Sequence, residues 1–432
     1  LIQKHYPKAL VSHRTAIEFK PSPLHNVYLT STQNRNVKWG EITLKFSKGK
    51  NSLESDLPLI KGLHVSSMER AYLENLTSSR STGGELKTVD ESIIEEKLLN
   101  ILNTKGENGL NELRDKAQQI SEVLEMKKEF SILNKKISAI LSTSPSDILT
   151  SPVAMAQAFG EPYDSSRIEL FQTLVGALRN SVFKSRSENA TDMKSFQTFA
   201  FFESYFSNYI EGTIFEVQEA VDIVYNNKII DNRVGDTHDV KGTFEVCSNK
   251  FEMQRKISSP NEFVDILKER HAIILRGRPD KNPGSFKHTA NRAGNSHFVL
   301  PKMVKGTLKA GYEFINSIPS ALGKAIYMMF LVSEVHPFDD GNGRIARIMM
   351  NAELVKEKEQ RILIPTAYRD DYIGALKKLT KRSEPDAYIR MLDNIHDYSK
   401  WLNPSSFEGM LKQIKESNAL EEPDEAKLTW KT

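Results

Sequence analysis

From about Arg167 to Leu402, apolar residues recur three and four positions apart, the spacing of helices with one buried face, so nearly all of this stretch is predicted helical. One segment breaks the pattern: RGRPDKNPGSFKHTANRAGNSHFVLP, between Arg276 and Pro301, is rich in Gly, Pro and Asn. A second helical pattern runs from Val89 to about Leu141. There Ile93, Ile94, Leu98, Leu99 and Leu102, and later Ile120, Val123, Leu124, Ile132 and Leu133, share helix spacing. The first eighty or so residues differ. VYLTST and EITLKF carry β-branched and aromatic residues on either side of the polar QNRNVKWG, which predicts strands joined by a turn. MERAYLENL then predicts a helix, with Ser66 and Glu69 spaced as a capping box. TSSRSTGGELKT and STSPSDILTSP read as loops, and LEEPDEAKLTWKT as a mobile polar tail. The expected fold class is α+β overall: a small α+β module (1–80), a helical connector (81–165), a mostly α-helical domain (166–402) and a C-terminal tail (403–432).

Composition narrows the picture. A chain of 432 residues is long for one core, so two or three domains are expected. The net charge of +3 makes no case for nucleic acid, and DNA is not indicated. AIYMMFLV, from Ala325, is broken by Ser333 and Glu334, so it reads as a buried helix, and no membrane partner is expected. The single cysteine, Cys247, excludes an intramolecular disulfide and fits a reducing compartment. The N-terminus lacks the pattern of a signal peptide, and cytoplasmic localisation is expected. It begins with Leu rather than Met, which leaves a segment upstream open. The aromatic run FAFFESYF is interleaved with acids and suits a core better than a nucleic-acid surface. ALKKLTKRSE reads as a solvated helix face. The histidines His271, His288 and His297 show no metal-ligand spacing with acids or Cys247, and no structural metal is assigned.

The chemistry concentrates in HPFDDGNGRIAR, His336 to Arg347. Pro337 marks a bend after a buried helix, and Gly341 and Gly343 allow positive φ or close approach of a ligand. RIARIMMNAELVKEK begins a new helix, whose first-turn N–H groups and dipole make an anion site. Arg344 and Arg347, three apart, reach from one face and suit a polyphosphate. Asp340 is positioned to hold Mg²⁺ against phosphate oxygens, and His336 to take a proton from a hydroxyl.

This stretch resembles, without a gap, the signature of the Fic family, His-x-Phe-x-[Asp/Glu]-Gly-Asn-Gly-Arg-x-x-Arg. The resemblance implies transfer of AMP from ATP to a Ser, Thr or Tyr hydroxyl of a target protein, with release of pyrophosphate. His336 would be the general base and Asp340 the Mg²⁺ ligand. Gly341, Asn342 and Gly343 would cradle the nucleotide's phosphates, Arg344 would hold them, and Arg347 would reach the γ-phosphate. Phe338 would anchor the loop, while Asp339 occupies the variable position. Relatives with Lys in place of Gly343 act as protein kinases, so Gly343 favours nucleotidyl transfer.

Upstream, SNYIEG resembles the inhibitory helix pattern of one Fic class, with Ser207, Glu211 and Gly212 at its fixed positions. That resemblance implies that Glu211 pairs with Arg347 and restrains the enzyme. The same carboxylate would also serve a hydrolytic reaction that removes AMP, and the sequence leaves both roles open. The interrupting segment is similar to a β-hairpin flap that docks the target as an added strand, with Asn295, Ser296, His297, Phe298 and Val299 as tip and strand. Lys287 or Arg292 is left between nucleotide contact and solvent. Residues from Pro7 to Leu76 resemble the C-terminal domain of abortive-infection antitoxins, which keeps a toxin–antitoxin-like regulatory or DNA-binding protein as the alternative. His13 and Arg14 there are functional candidates, although an Arg beside a helix-start serine, Ser12, reads first as a structural ion-pair partner. Modification of the chain itself and homo-oligomerisation are compatible with the sequence.

Overall fold

A computed structural model describes residues 2–60, 62–79, 84–294 and 296–430. Part of the loop TSSRSTGGELKT, residues 80–83, and the flap residue Asn295 lie outside the described residues. The chain divides into two compact units, 1–162 and 163–432. It is α+β overall, mostly helical, with a six-stranded mixed sheet in the first unit.

The first unit contains β1 (Leu10–Val11), β2 (Asn26–Ser31), β3 (Arg35–Trp39), β4 (Ile42–Lys48), β5 (Leu57–Ile60) and β6 (Leu63–Val65), in the order β3-β4-β2-β1-β6-β5. The expected turn between β2 and β4 is itself a strand. β2 runs parallel to β4, and QNRNVKWG supplies the edge strand β3, antiparallel to β4. Its mostly polar residues are tolerated because an edge strand faces solvent. The register Leu29↔Phe46 buries both side chains. The capping serine is Ser67, not Ser66: its side chain accepts from the Arg70 N–H, while the Ser66 hydroxyl donates to Glu74. Helices Glu91–Leu124, kinked at Gly106, and Lys127–Ile140 bury Leu98, Leu133 and Ile137 in the same core as Leu29 and Phe46. Arg14 is a structural ion-pair partner, 2.8 Å from Glu18.

In the second unit, helix Ala321–Val335 and its successor Asn342–Lys356 lie side by side at the centre, nearly every residue buried. The aromatic run sits on helix Met193–Ile210, with Phe199, Phe201, Phe202 and Phe206 in the core. The interrupting segment carries a short hairpin of β7 (Arg292–Ala293) and β8 (Ser296–His297). The polar tail is not loose. Leu420, Leu428 and Trp430 pack against the core, the Trp430 ring 5.4 Å from Tyr398, and Glu422 takes a hydrogen bond from the Tyr209 hydroxyl at 3.0 Å. Three apolar side chains in thirteen residues suffice to anchor the segment. Among the described residues no helix is long and apolar enough to cross a membrane.

Candidate active site

The loop between the two central helices is built by its own sequence. Helix Ala321–Val335 ends where His336 turns left-handed (φ 51°, ψ 61°) ahead of Pro337. The next helix opens at Gly341 (φ 72°), where a Cβ would also come within 3.1 Å of Leu275, so glycine is needed twice over. The Asn342 side chain closes the loop. Its Oδ1 accepts from the Phe338 N–H at 2.9 Å and its Nδ2 donates to the Phe338 carbonyl at 2.8 Å. The amide group is therefore a brace, and what remains for an anion is the first helical turn, whose N–H groups have no intrahelical acceptor.

Two buried groups hold this loop from behind. His271 stacks on Phe338 at 3.6 Å, accepts from the Gly284 N–H at 2.9 Å, and lies 3.0 Å from the Asp340 carbonyl, to which its Nε2–H donates. Burial lowers its pKa to about 4, consistent with a neutral ring. Lys287 is only 2% exposed. Its ammonium donates to the His336 carbonyl at 2.8 Å and to Asn291 at 2.6 Å, and Asn291 in turn donates to the Phe338 carbonyl. Lys287 thus caps the carbonyl end of the helix, and burial lowers its pKa to about 8. Neither solvent nor nucleotide contact describes it.

The His336 ring lies flat against Phe298, with centroids 3.8 Å apart. Its Nδ1 is 3.4 Å from the Ser333 carbonyl, which favours the proton there and leaves Nε2 as acceptor. Burial, then the positive charge of Lys287, lowers its pKa to about 4. The ring lines a cavity of about 240 Å³ together with Glu211, Gly343, Phe298 and Tyr372.

Both arginines are buried and paired. Arg347 Nη2 lies 2.7 Å from Glu211 Oε1 and donates to the Ser207 carbonyl at 2.8 Å, while its Nε donates to the Ser207 hydroxyl at 2.9 Å. Burial opposes its charge most strongly, but Glu211 and Tyr372 together outweigh it and the pKa stays above the ordinary value. Gly343 makes this clamp possible, because a Cβ there would collide with the Glu211 carboxylate. Arg344 pairs with Asp239 at 2.7 Å, and more loosely with Asp340 at 3.4 Å. Asp239 also accepts from Arg278 at 2.7 Å.

Of the residues singled out from sequence, His336, Asp340, Gly341, Asn342, Gly343, Arg344 and Arg347 surround one helix start, and Ser207 and Glu211 meet Arg347 there. Gly212 makes no such contact; at φ 89° it lets the chain turn after the helix. In the flap, Ser296 and Phe298 line the cavity, the His297 carbonyl accepts from Arg167 at 2.6 Å, and Val299 is fully buried as an anchor. Asp239, Lys287 and His271 gave no local signal of their contacts, because each is far along the chain from the loop it supports. Asp239→Ala would leave two cations facing one another, and is expected to destabilise the protein by about 3–5 kcal/mol, read as a lower urea midpoint. A midpoint equal to wild type would show that Asp239 does not hold the pair.

A helical domain with a polar loop folded over a helix start, and two paired arginines beneath it, is the class these features define. Residues 263–354 match the profile of the Fic/DOC family. It is 26% identical over 117 residues to protein adenylyltransferase fic-1 of Caenorhabditis elegans, covering 26% of this chain and 23% of the relative. It is 22% identical over 210 residues to protein adenylyltransferase Fic of Drosophila persimilis, covering 48% and 41%. The matches thus span less than half the length of these curated relatives. Among solved structures, a Fic domain containing signalling protein from Bacteroides thetaiotaomicron aligns at 17% identity, covering 56% of this chain and 97% of that one, with a TM-score of 0.44. Residues 134–508 of C. elegans Fic-1 align at 18% identity, covering 75% and 98%, with a TM-score of 0.41.

Proposed function

We propose that this chain is a protein adenylyltransferase restrained by its own Glu211. The observation that carries the reading is the meeting of Ser207 and Glu211 with Arg347 beside His336. In the transfer, the target hydroxyl oxygen forms a bond to the α-phosphorus of ATP, the bond to the β-phosphate oxygen breaks, and pyrophosphate leaves. His336 Nε2 takes the hydroxyl proton. First-turn N–H groups and Arg344 bind phosphate oxygens, and Arg347, once released, binds the γ-phosphate. Asp340 fits a magnesium ion. Its side chain is 39% exposed beside the anion site, and magnesium bound with nucleotides commonly uses one or two carboxylates plus phosphate oxygens. When bound, such an ion would neutralise phosphate charge and orient the leaving group. In the restrained state the Glu211 carboxylate occupies Arg347 and repels the γ-phosphate.

A second reading has a specific support: the Glu211 side chain is 31% exposed and lines the same cavity as His336, so it is available to activate water against an adenylylated target. The flap, with Phe298 over His336, would present the target's backbone as an added strand.

The test incubates wild type, Glu211→Gly and Glu211→Gly/His336→Ala with Mg²⁺ and α-labelled ATP, following covalent label on the chain and in lysate. Label that rises in the single variant and vanishes in the double supports a His-dependent, Glu-restrained transfer. Equal label in wild type and Glu211→Gly would end the restraint reading. Because His336 titrates near pH 4 and is the base when neutral, kcat/KM of Glu211→Gly is expected to be flat above about pH 5.5 and to fall below it. Lys287→Met removes a charge that depresses His336, so the acid limb should move upward; an unmoved limb would show that Lys287 does not set it.

A further inference from the structure

The N-terminal unit holds a second cavity, of about 480 Å³, with His13, Lys48, Lys50, Lys87, Glu74 and Glu125 among its walls. That volume is in the range of small-molecule sites. Its polar groups divide by whether they are already engaged. Glu74 is buried and both its oxygens are taken, Oε1 by Arg70 at 2.8 Å and Oε2 by the Ser66 hydroxyl at 2.8 Å and the His13 backbone N–H at 3.1 Å. Arg70 is taken as well, by Asp56 at 2.7 Å and by the carbonyls of Lys50 and Asn51. At the edge, Glu125 pairs with Lys50 at 2.9 Å.

Apart from the exposed Glu125 carboxylate at the edge, paired through one oxygen with Lys50, the charged groups left to meet a ligand donate. The Lys87 ammonium is half-buried and has no hydrogen-bond partner among the described residues, and Lys48 stands exposed at the rim. His13 is held at a left-handed φ of 52° by the Glu74 hydrogen bond, a conformation that a non-glycine residue keeps only where its surroundings impose it. Ser12 Oγ accepts from Thr30 at 2.9 Å, so its own proton goes to His13 Nδ1 at 2.9 Å, and the ring carries N–H at Nε2. Burial, with Lys87 and Arg70 adding to it, keeps that ring neutral, its pKa near 3.

We propose that this cavity binds a small anion through a phosphate or carboxylate group, with Lys87, Lys48 and the His13 Nε2–H as donors. The site lies wholly within the first unit and does not depend on the adenylyltransferase reading.

The test titrates the full chain calorimetrically with inorganic phosphate and, separately, citrate, at constant ionic strength, with and without excess non-hydrolysable ATP analogue. Binding that survives the analogue and weakens roughly tenfold or more in Lys87→Met supports the site. Lys48→Met, at the exposed rim, should weaken it in the same direction, and melting curves show whether each variant is folded. Citrate binding without phosphate binding also supports it and makes the ligand a carboxylate. The proposal is overturned if neither anion binds up to about 10 mM, if the analogue displaces both, or if folded Lys87→Met and Lys48→Met bind as wild type does.

Discussion

His336→Ala, placed in the Glu211→Gly background, is expected to lower AMP transfer roughly 10²–10⁴-fold, the usual contribution of a positioned general base, while nucleotide affinity stays within a few-fold. The split follows from where the ring sits. Its contacts are with Phe298 and the Ser333 carbonyl, and the arginines and helix-start amides that would hold phosphates are independent of it. Single-turnover transfer measures the chemistry, and a fluorescent ATP analogue measures the binding. If affinity falls in step with transfer, His336 is a binding residue and the general-base assignment fails.

Glu211→Gly is expected to raise transfer by roughly ten- to a hundredfold, because a charge-assisted pair of this kind contributes about 1.5–3 kcal/mol. The gain should appear chiefly in productive ATP binding, since the freed Arg347 gains a γ-phosphate partner and loses a competing carboxylate. The increase is measured against wild type at sub-saturating ATP. It should be smaller in the presence of Arg347→Ala, which has no guanidinium left to release. An undiminished gain in that background would show that Glu211 acts on something other than Arg347.

The sequence was most informative where function is local. HPFDDGNGRIAR fits one bend and one helix start, so spacing alone indicated the loop. SNYIEG is more than a hundred residues upstream, and only its resemblance to an inhibitory helix pointed Glu211 at Arg347; Ser207 and Glu211, one helical turn apart, both reach that guanidinium. What could not be read was support from a distance. Asp239 under Arg344 and Lys287 behind His336 look like ordinary charges in the chain, since only the fold brings them to their partners. The edge strand β3 was missed because a solvated strand needs no apolar alternation, and the tail because three dispersed apolar residues do not make a period.

The fit of Glu211 over Gly343 also limits how this domain can diversify. A side chain at 343 would displace the Glu211 carboxylate, so on the proposed reading Lys there would loosen the restraint. If that reading holds, a descendant that changes its chemistry at this position would weaken its restraint at the same substitution, and would need control from elsewhere.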